Sequence, residues 1–193
     1  LVGDHLTFTK PVSPVAPFTG KADLNLTAVD LTDTDGACYD PDSNNICDPF
    51  SLMSIGTTEQ RYARMVLQNA YGPEILALAL PLRVEYFDGS GFIINILDGS
   101  TIYDVLNLVL SNYQNNLIGG ATTPAGNGTL TAGMGSGMSL SAPGVGKDGS
   151  VDLLYDLDAA GLSWLKENGL NPTGKATFGI YKGNERLIYM RES

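Results

Sequence analysis

Cys38 and Cys47 are the only cysteines of the chain, with eight residues between them in a stretch rich in Asp, Asn and Pro. Two thiols so placed can close a disulfide or hold a metal or redox centre. The second option needs further Cys or His nearby, and there are none, so the expectation is a disulfide in an exported protein. Closing so short a loop contributes about 2–3 kcal/mol on the chain-entropy account. The same region carries Asp30, Asp33, Asp35, Asp40, Asp42 and Asp48. Laid on an EF-hand frame, Asp33, Asp35 and Asp42 fall on ligand positions three, five and twelve and Gly36 on the sharp-turn glycine at six, but Leu31 stands at position one and Pro41 interrupts the loop. The pattern is therefore no EF-hand. A looser oxygen cage for calcium, drawn from Asp33, Asp35, Asp40 and Asp42, stands beside the plainer reading of a solvated acidic loop pinned by the disulfide.

Catalytic chemistry is poorly supplied. His5 is the single histidine and sits in an extended, proline-flanked segment, which disfavours a nucleophile–histidine pair. Glu85 and Asp88, beside a hairpin turn, are the one carboxylate pair suggestive of glycoside cleavage, and surface charge accounts for them better. No G-x-S-x-G or phosphate-binding loop occurs, and the glycines of 133–137 lack a following Lys-Ser/Thr. The reading is non-enzymatic. A net charge of −10 disfavours nucleic acid, and no run of about 18 apolar residues predicts a membrane span. The aromatics Tyr62, Tyr71, Tyr86, Phe87, Phe92, Trp164, Phe178, Tyr181 and Tyr189 should be half or more core, the remainder being candidates for a sugar platform.

The elements that must position these residues read as strands. With 193 residues, 43% of them hydrophobic, the chain has enough apolar material for a packed core, and 23 glycines suit many turns. Leu24, Leu26 and Ala28 alternate with polar residues. Residues 80–96 read as a hairpin around Asp88-Gly89-Ser90-Gly91. Further strands are expected at 62–68, 105–110, 128–132, 138–141 and 151–155, and a closing hairpin spans Asn171 to Arg191 with its turn at Lys182–Glu185. One short helix is expected at Asp158–Asn168, capped by Gly169. The fold class is an all-β, immunoglobulin-like β-sandwich, as one large or two small domains. The expected divisions are an extended N-terminal arm at 1–20, a strand with the acidic disulfide loop at 21–58, and the main sandwich at 59–193. Within the arm, His5–Thr9 reads as a strand that could dock on its own body or add to a neighbour's sheet edge.

An ordered set of segments resembles the C-terminal region of MshQ-like proteins, which are encoded with bacterial type IV (MSHA) pili. It comprises Ala22 to Asp33 (A-D-L-N-L-T-A-V-D-L-T-D), Gly56 to Arg64 (G-T-T-E-Q-R-Y-A-R) and Leu67 to Glu74 (L-Q-N-A-Y-G-P-E). Pro81 to Phe92 (P-L-R-V-E-Y-F-D-G-S-G-F), Leu140 to Gly144, Trp164-Leu165 and the closing hairpin complete it. The chain departs from that pattern at Ser100, where Cys is usual, and in a short segment between Trp164 and Asn171. The start at Leu1, without Met or a charged n-region before an apolar stretch, leads to the expectation of a mature or excised piece. The resemblance implies export and a surface or pilus-associated location. It implies an adhesive or structural role, with other surface or pilus proteins, the chain itself or a glycan as partner. The alternative is a subunit of an extracellular filament or surface layer, assembled partly by strand addition. The resemblance carries no catalytic residues.

Overall fold

The computed structural model describes residues 9–179. The expected strand at His5–Thr9 therefore lies almost wholly outside the described residues. So do the closing turn at Lys182–Glu185 and the second strand at Leu187–Tyr189. The protein is all-β, and its described residues divide into two compact units, 16–61 and 9–15 together with 62–179.

The smaller unit holds β1 (Phe18–Leu26) and β2 (Phe50–Gln60), an antiparallel pair running from Phe18↔Gln60 to Leu26↔Phe50. Between Ala22 and Leu24, β1 advances two residues while β2 advances from Gly56 to Leu52. β2 thus bulges around Ser54, which takes φ 56° to make the kink. The loop between the strands carries both cysteines and six of the unit's seven aspartates.

The larger unit contains β3 (Ala63–Leu67), β4 (Ala70–Gly72), β5 (Leu78–Ala79), β6 (Leu82–Phe87), β7 (Phe92–Ile94), β8 (Ile102–Tyr103) and β9 (Leu108–Asn115). It continues with β10 (Pro124–Ala125), β11 (Gly128–Thr129), β12 (Met134–Gly135), β13 (Ser139–Leu140), β14 (Gly149–Tyr155) and β15 (Thr173–Phe178). One four-stranded sheet runs β12-β6-β3, with β7 also paired to β6, a second runs β4-β15-β14-β9, and two small sheets, β10-β13-β5 and β11-β8, complete the unit. The chain passes from the first sheet to the second within one short segment, because β3 pairs antiparallel with β6 while β4 pairs parallel with β15. The order β9-β14-β15 is that of the C-F-G sheet of an immunoglobulin-type sandwich.

Period-two alternation sends Met65, Leu67, Leu82 and Val84 inward from the first sheet. Val151, Leu153, Tyr155, Ala176 and Phe178 meet them from the second, and all nine belong to one buried cluster. The hairpin expected at 80–96 is present as β6 and β7, paired Glu85↔Ile94 to Phe87↔Phe92.

The helix expected at Asp158–Asn168 is not formed. Its place is taken by turns and one 3-10 turn, Ser163–Leu165. Two local effects defeat the helix. The Asp156 carboxylate accepts the N–H groups of Asp158 and Ala159, a turn-forming bond that competes with helix. Gly161 and Gly169 both take positive φ, which stops propagation on either side. The strand expected from Val105 starts later, at Leu108, because Asp104 caps a 3-10 turn over Val105–Asn107 by accepting the N–H of Leu106. The strand expected at 128–132 is cut to Gly128–Thr129 by the turn at Ala132 and Gly133, both with positive φ.

Gly126 supplies a test of this packing. Its φ is +91°, and a Cβ there would lie 1.9 Å from the carbonyl oxygen of Gly137. Gly144 has φ +102° but open space around it. Gly144→Ala should therefore cost only the left-handed penalty, about 1–2 kcal/mol. Gly126→Ala should cost about 2–4 kcal/mol, since backbone must also move. Denaturant midpoints of the two variants, compared at unchanged m-value, check the difference.

Candidate functional site

In the smaller unit, Cys38 and Cys47 form a disulfide with a Cα–Cα distance of 5.6 Å. Around it the acidic residues fall into two groups. Asp33 and Asp35 build the turn before Cys38: the Asp33 N–H donates to Ala37 O, and Asp35 Oδ1 accepts the N–H of Ala37. Asp40, Asp42 and Asp48 form the other group, each offering a carboxylate oxygen within 4.8 Å of the others. Of the four calcium candidates, the fold thus brings Asp40 and Asp42 together, adds Asp48, and leaves Asp33 and Asp35 outside the group.

Two members of the second group, Asp40 and Asp42, are also turn caps. Asp40 accepts the N–H groups of Asn44 at 3.1 Å and Asn45 at 2.9 Å. Asp42 accepts the N–H of Asn44 at 3.2 Å and its side-chain amide at 2.9 Å. Desolvation works against the Asp40 carboxylate, but the N–H of Asn45, Asp42 and the neighbouring amides outweigh it and hold Asp40 below the usual range.

In the larger unit the polar chemistry gathers on the outer face of β3 and β6. Arg64 and Glu85 stand opposite each other across the two strands. Glu85 accepts from Arg64 at 2.8 Å and from Arg83 at 2.6 Å, and Arg64 reaches Glu167 at 2.8 Å. Glu85 is only 5% exposed, so it is the buried centre of an ion network and not the surface charge expected of it. Asp88, the other half of the suggested pair, accepts from Ser90 and Gly91 and closes the β6–β7 turn. The guanidinium of Arg64 lies 3.6 Å from the centroid of Phe92, which packs in turn against Tyr62 and Phe87.

Lys10 anchors the proline-flanked arm beside this network. Its Nζ donates to the carbonyls of Ala63 at 2.6 Å, Trp164 at 3.0 Å and Lys166 at 2.6 Å, and it sits 4.1 Å from the Tyr62 ring centroid. Three carbonyls match the three donors of an ammonium. Burial pulls Lys10 down to about 8, against the attraction of Glu167. A cleft of about 420 Å³ opens here, lined by Lys10, Pro11, Val12, Tyr62 and residues of the 163–169 segment. No sequence signal marked Lys10, because its acceptors are backbone groups 53, 154 and 156 residues away. Arg64 and Glu85 were one strand-register inference from being found, since opposite charges facing each other on adjacent strands are a known stabilising pair.

Of the aromatics, Tyr62 and Phe178 are core, whereas Tyr71 and Trp164 are about half exposed. Tyr181, Tyr189 and His5 lie outside the described residues. No helix among the described residues is long and apolar enough to cross a membrane.

Residues 61–193 match the family described as DUF6701, fourth domain. The chain belongs to the DUF6701 family. The matched region begins where the larger unit resumes at Tyr62, so the sandwich is the family's domain. No curated protein and no solved structure matches the chain.

Two outcomes follow from the site geometry. Lys10→Met should leave the carbonyls of Ala63, Trp164 and Lys166 without their donor, costing about 1–3 kcal/mol and exposing the 11–15 segment to proteolysis. Lys10→Arg should not restore it, because a planar guanidinium does not fit three converging carbonyls. Denaturant melts and timed proteolysis read both effects. For Asp40, the folded carboxyl is the more acidic one. Its contribution to the loop is complete above the ordinary Asp range and disappears as pH falls through the lowered value. An NMR titration should show the Asn44 and Asn45 amide resonances moving together at that lower pH.

Proposed function

We propose that the chain is a non-catalytic structural or adhesive β module of an exported protein at the cell surface, associated with a pilus. The Cys38–Cys47 disulfide carries the export reading, because such bonds persist in oxidising compartments and are rare in the cytosol. The ordered likeness to the C-terminal region of MshQ-like proteins supports the pilus association. In this reading the DUF6701 domain is a rigid support, and its partners are other surface or pilus proteins or a glycan. Tyr71 and Trp164 are the exposed aromatics best suited to stack on a sugar.

A second reading is a subunit of an extracellular filament or surface layer, assembled partly by strand addition. The two-stranded sheet of the smaller unit favours it, since such an edge offers unpaired N–H and C=O groups. Calcium enters either reading through Asp40, Asp42 and Asp48. An ion there would have to compete with the N–H groups that Asp40 and Asp42 already accept.

Localisation is checked on intact cells with a membrane-impermeant thiol reagent. Cys38 and Cys47 should label only after external reductant is added; labelling without reductant would count against the disulfide, and no labelling after reductant would count against export. A glycan array with Trp164→Ala and Tyr71→Ala variants reads the adhesive role, whereas electron microscopy of the purified chain reads the filament. For calcium, the expected result is a rise in melting temperature at about millimolar concentration, the range of extracellular modules. A calorimetric titration without heat discards the ion.

A further inference from the structure

We propose that β1 is a self-pairing edge, through which two copies of the chain join antiparallel about Ala22 into a four-stranded sheet. The smaller unit would gain stability from such a partner. Its β1–β2 pair is a two-stranded sheet among the described residues, and none of its side chains belongs to the buried core. A two-stranded ribbon is marginal in water, and three or more strands are needed for independent stability.

The two outer edges of the ribbon are not equivalent. β2 bulges at Ser54, whose N–H donates to Asp23 Oδ1 at 2.6 Å, and a bulge turns an edge away from further pairing. β1 runs as an uninterrupted strand over nine residues. Among the described residues its outer side pairs with no strand, and it is the side fitted to receive another.

Charge then selects the occupant and the register. Pairing β1 with a second β1 about Ala22 sets Lys21 of each copy opposite Asp23 of the other. Opposite charges facing each other across strands stabilise, and like charges directly opposite destabilise. Shifting the register by two residues in one direction places Lys21 opposite Lys21. Shifting by two in the other places Asp23 opposite Asp23. A shift by one residue sets the apolar face against the polar one. The Ala22-centred register is thus the one near the middle of the strand that satisfies both face and charge. Among the described residues no ion pair holds Lys21, and Asp23 has one carboxylate oxygen engaged by Ser54. This pairing does not depend on the adhesive or filament reading.

Sedimentation equilibrium of the full chain should find a dimer. Lys21→Asp and Asp23→Lys, each alone, place like charges opposite in the homodimer and should weaken it about tenfold or more. Mixed in equal amounts, the two variants should regain the dimer. One variant then presents two acidic side chains and the other two basic ones, so opposite charges face each other again at both positions. Ala22→Cys should give a reducible covalent dimer, since the two positions face each other at about 5 Å between Cβ atoms. Thr19→Cys should not, because it faces Asn25. Lys21→Asp leaves the Asp23–Ser54 bond in place, so its effect reads the interface and not the bulge. A chain that stays monomeric to about 100 μM overturns the proposal. So does a dimer indifferent to both charge variants, or one cross-linked equally well from position 19.

Discussion

Strand β14 bears the weight of the sandwich. Gly149, Val151, Leu153 and Tyr155 all face inward and are buried, while the residues between them stay partly exposed. With β9 on one side and β15 on the other, β14 has both edges paired along most of its length. Its inward row therefore has fixed height and spacing, and the opposite sheet must fill that relief. Met65 and Leu67 of β3 and Leu82 and Val84 of β6 do so in register, as directly opposed pairs. Tyr155 adds a polar tie, its hydroxyl accepting the N–H of Asp104 at the start of the turn that leads into β9. Apolar burial and backbone satisfaction are thus achieved by the same strand, which is why the rest of the sandwich follows from its placement.

The smaller unit meets the stability problem in another way. Without a buried apolar cluster, it relies on a covalent link, an edge-to-face contact of Tyr39 with Phe50 at 5.7 Å, and a series of aspartates capping turns. Small units that cannot build a core commonly use disulfides in this role. The aspartates that suggest a cation site in sequence are, in the folded chain, hydrogen-bond acceptors for neighbouring amides. One residue type serves both purposes, because a carboxylate satisfies an N–H group and a cation by the same lone pairs.

On the sandwich, charged side chains act as fasteners. Glu85 is buried between two arginines, and Arg64 extends the network to Glu167, linking the first sheet to the 163–170 segment. Lys10 fastens the arm to the same segment and to β3. Leaving any one of these charges without its partner would strand a half-buried group. The outer face of β3 and β6 is therefore an assembled surface whose composition is fixed by what it must hold together.

The sequence by itself determined the all-β class, the β6–β7 hairpin, most strand positions and the pairing available to the two cysteines. Each of these rests on composition or short-range information: alternation over a few residues, the turn-forming Asp88-Gly89-Ser90-Gly91 step, or two cysteines with no other Cys or His nearby. It misread 158–168, where apolar spacing suited a helix but the Asp156 side chain and two positive-φ glycines chose turns. Only the tertiary structure decided which carboxylates meet, that Glu85 is buried, and that Lys10 closes on carbonyls more than fifty residues away. Those outcomes depend on sheet register and on backbone acceptors, which carry no residue identity. Local patterns can name the strands, but the contacts between distant strands exist only after the chain has paid the entropy of bringing them together.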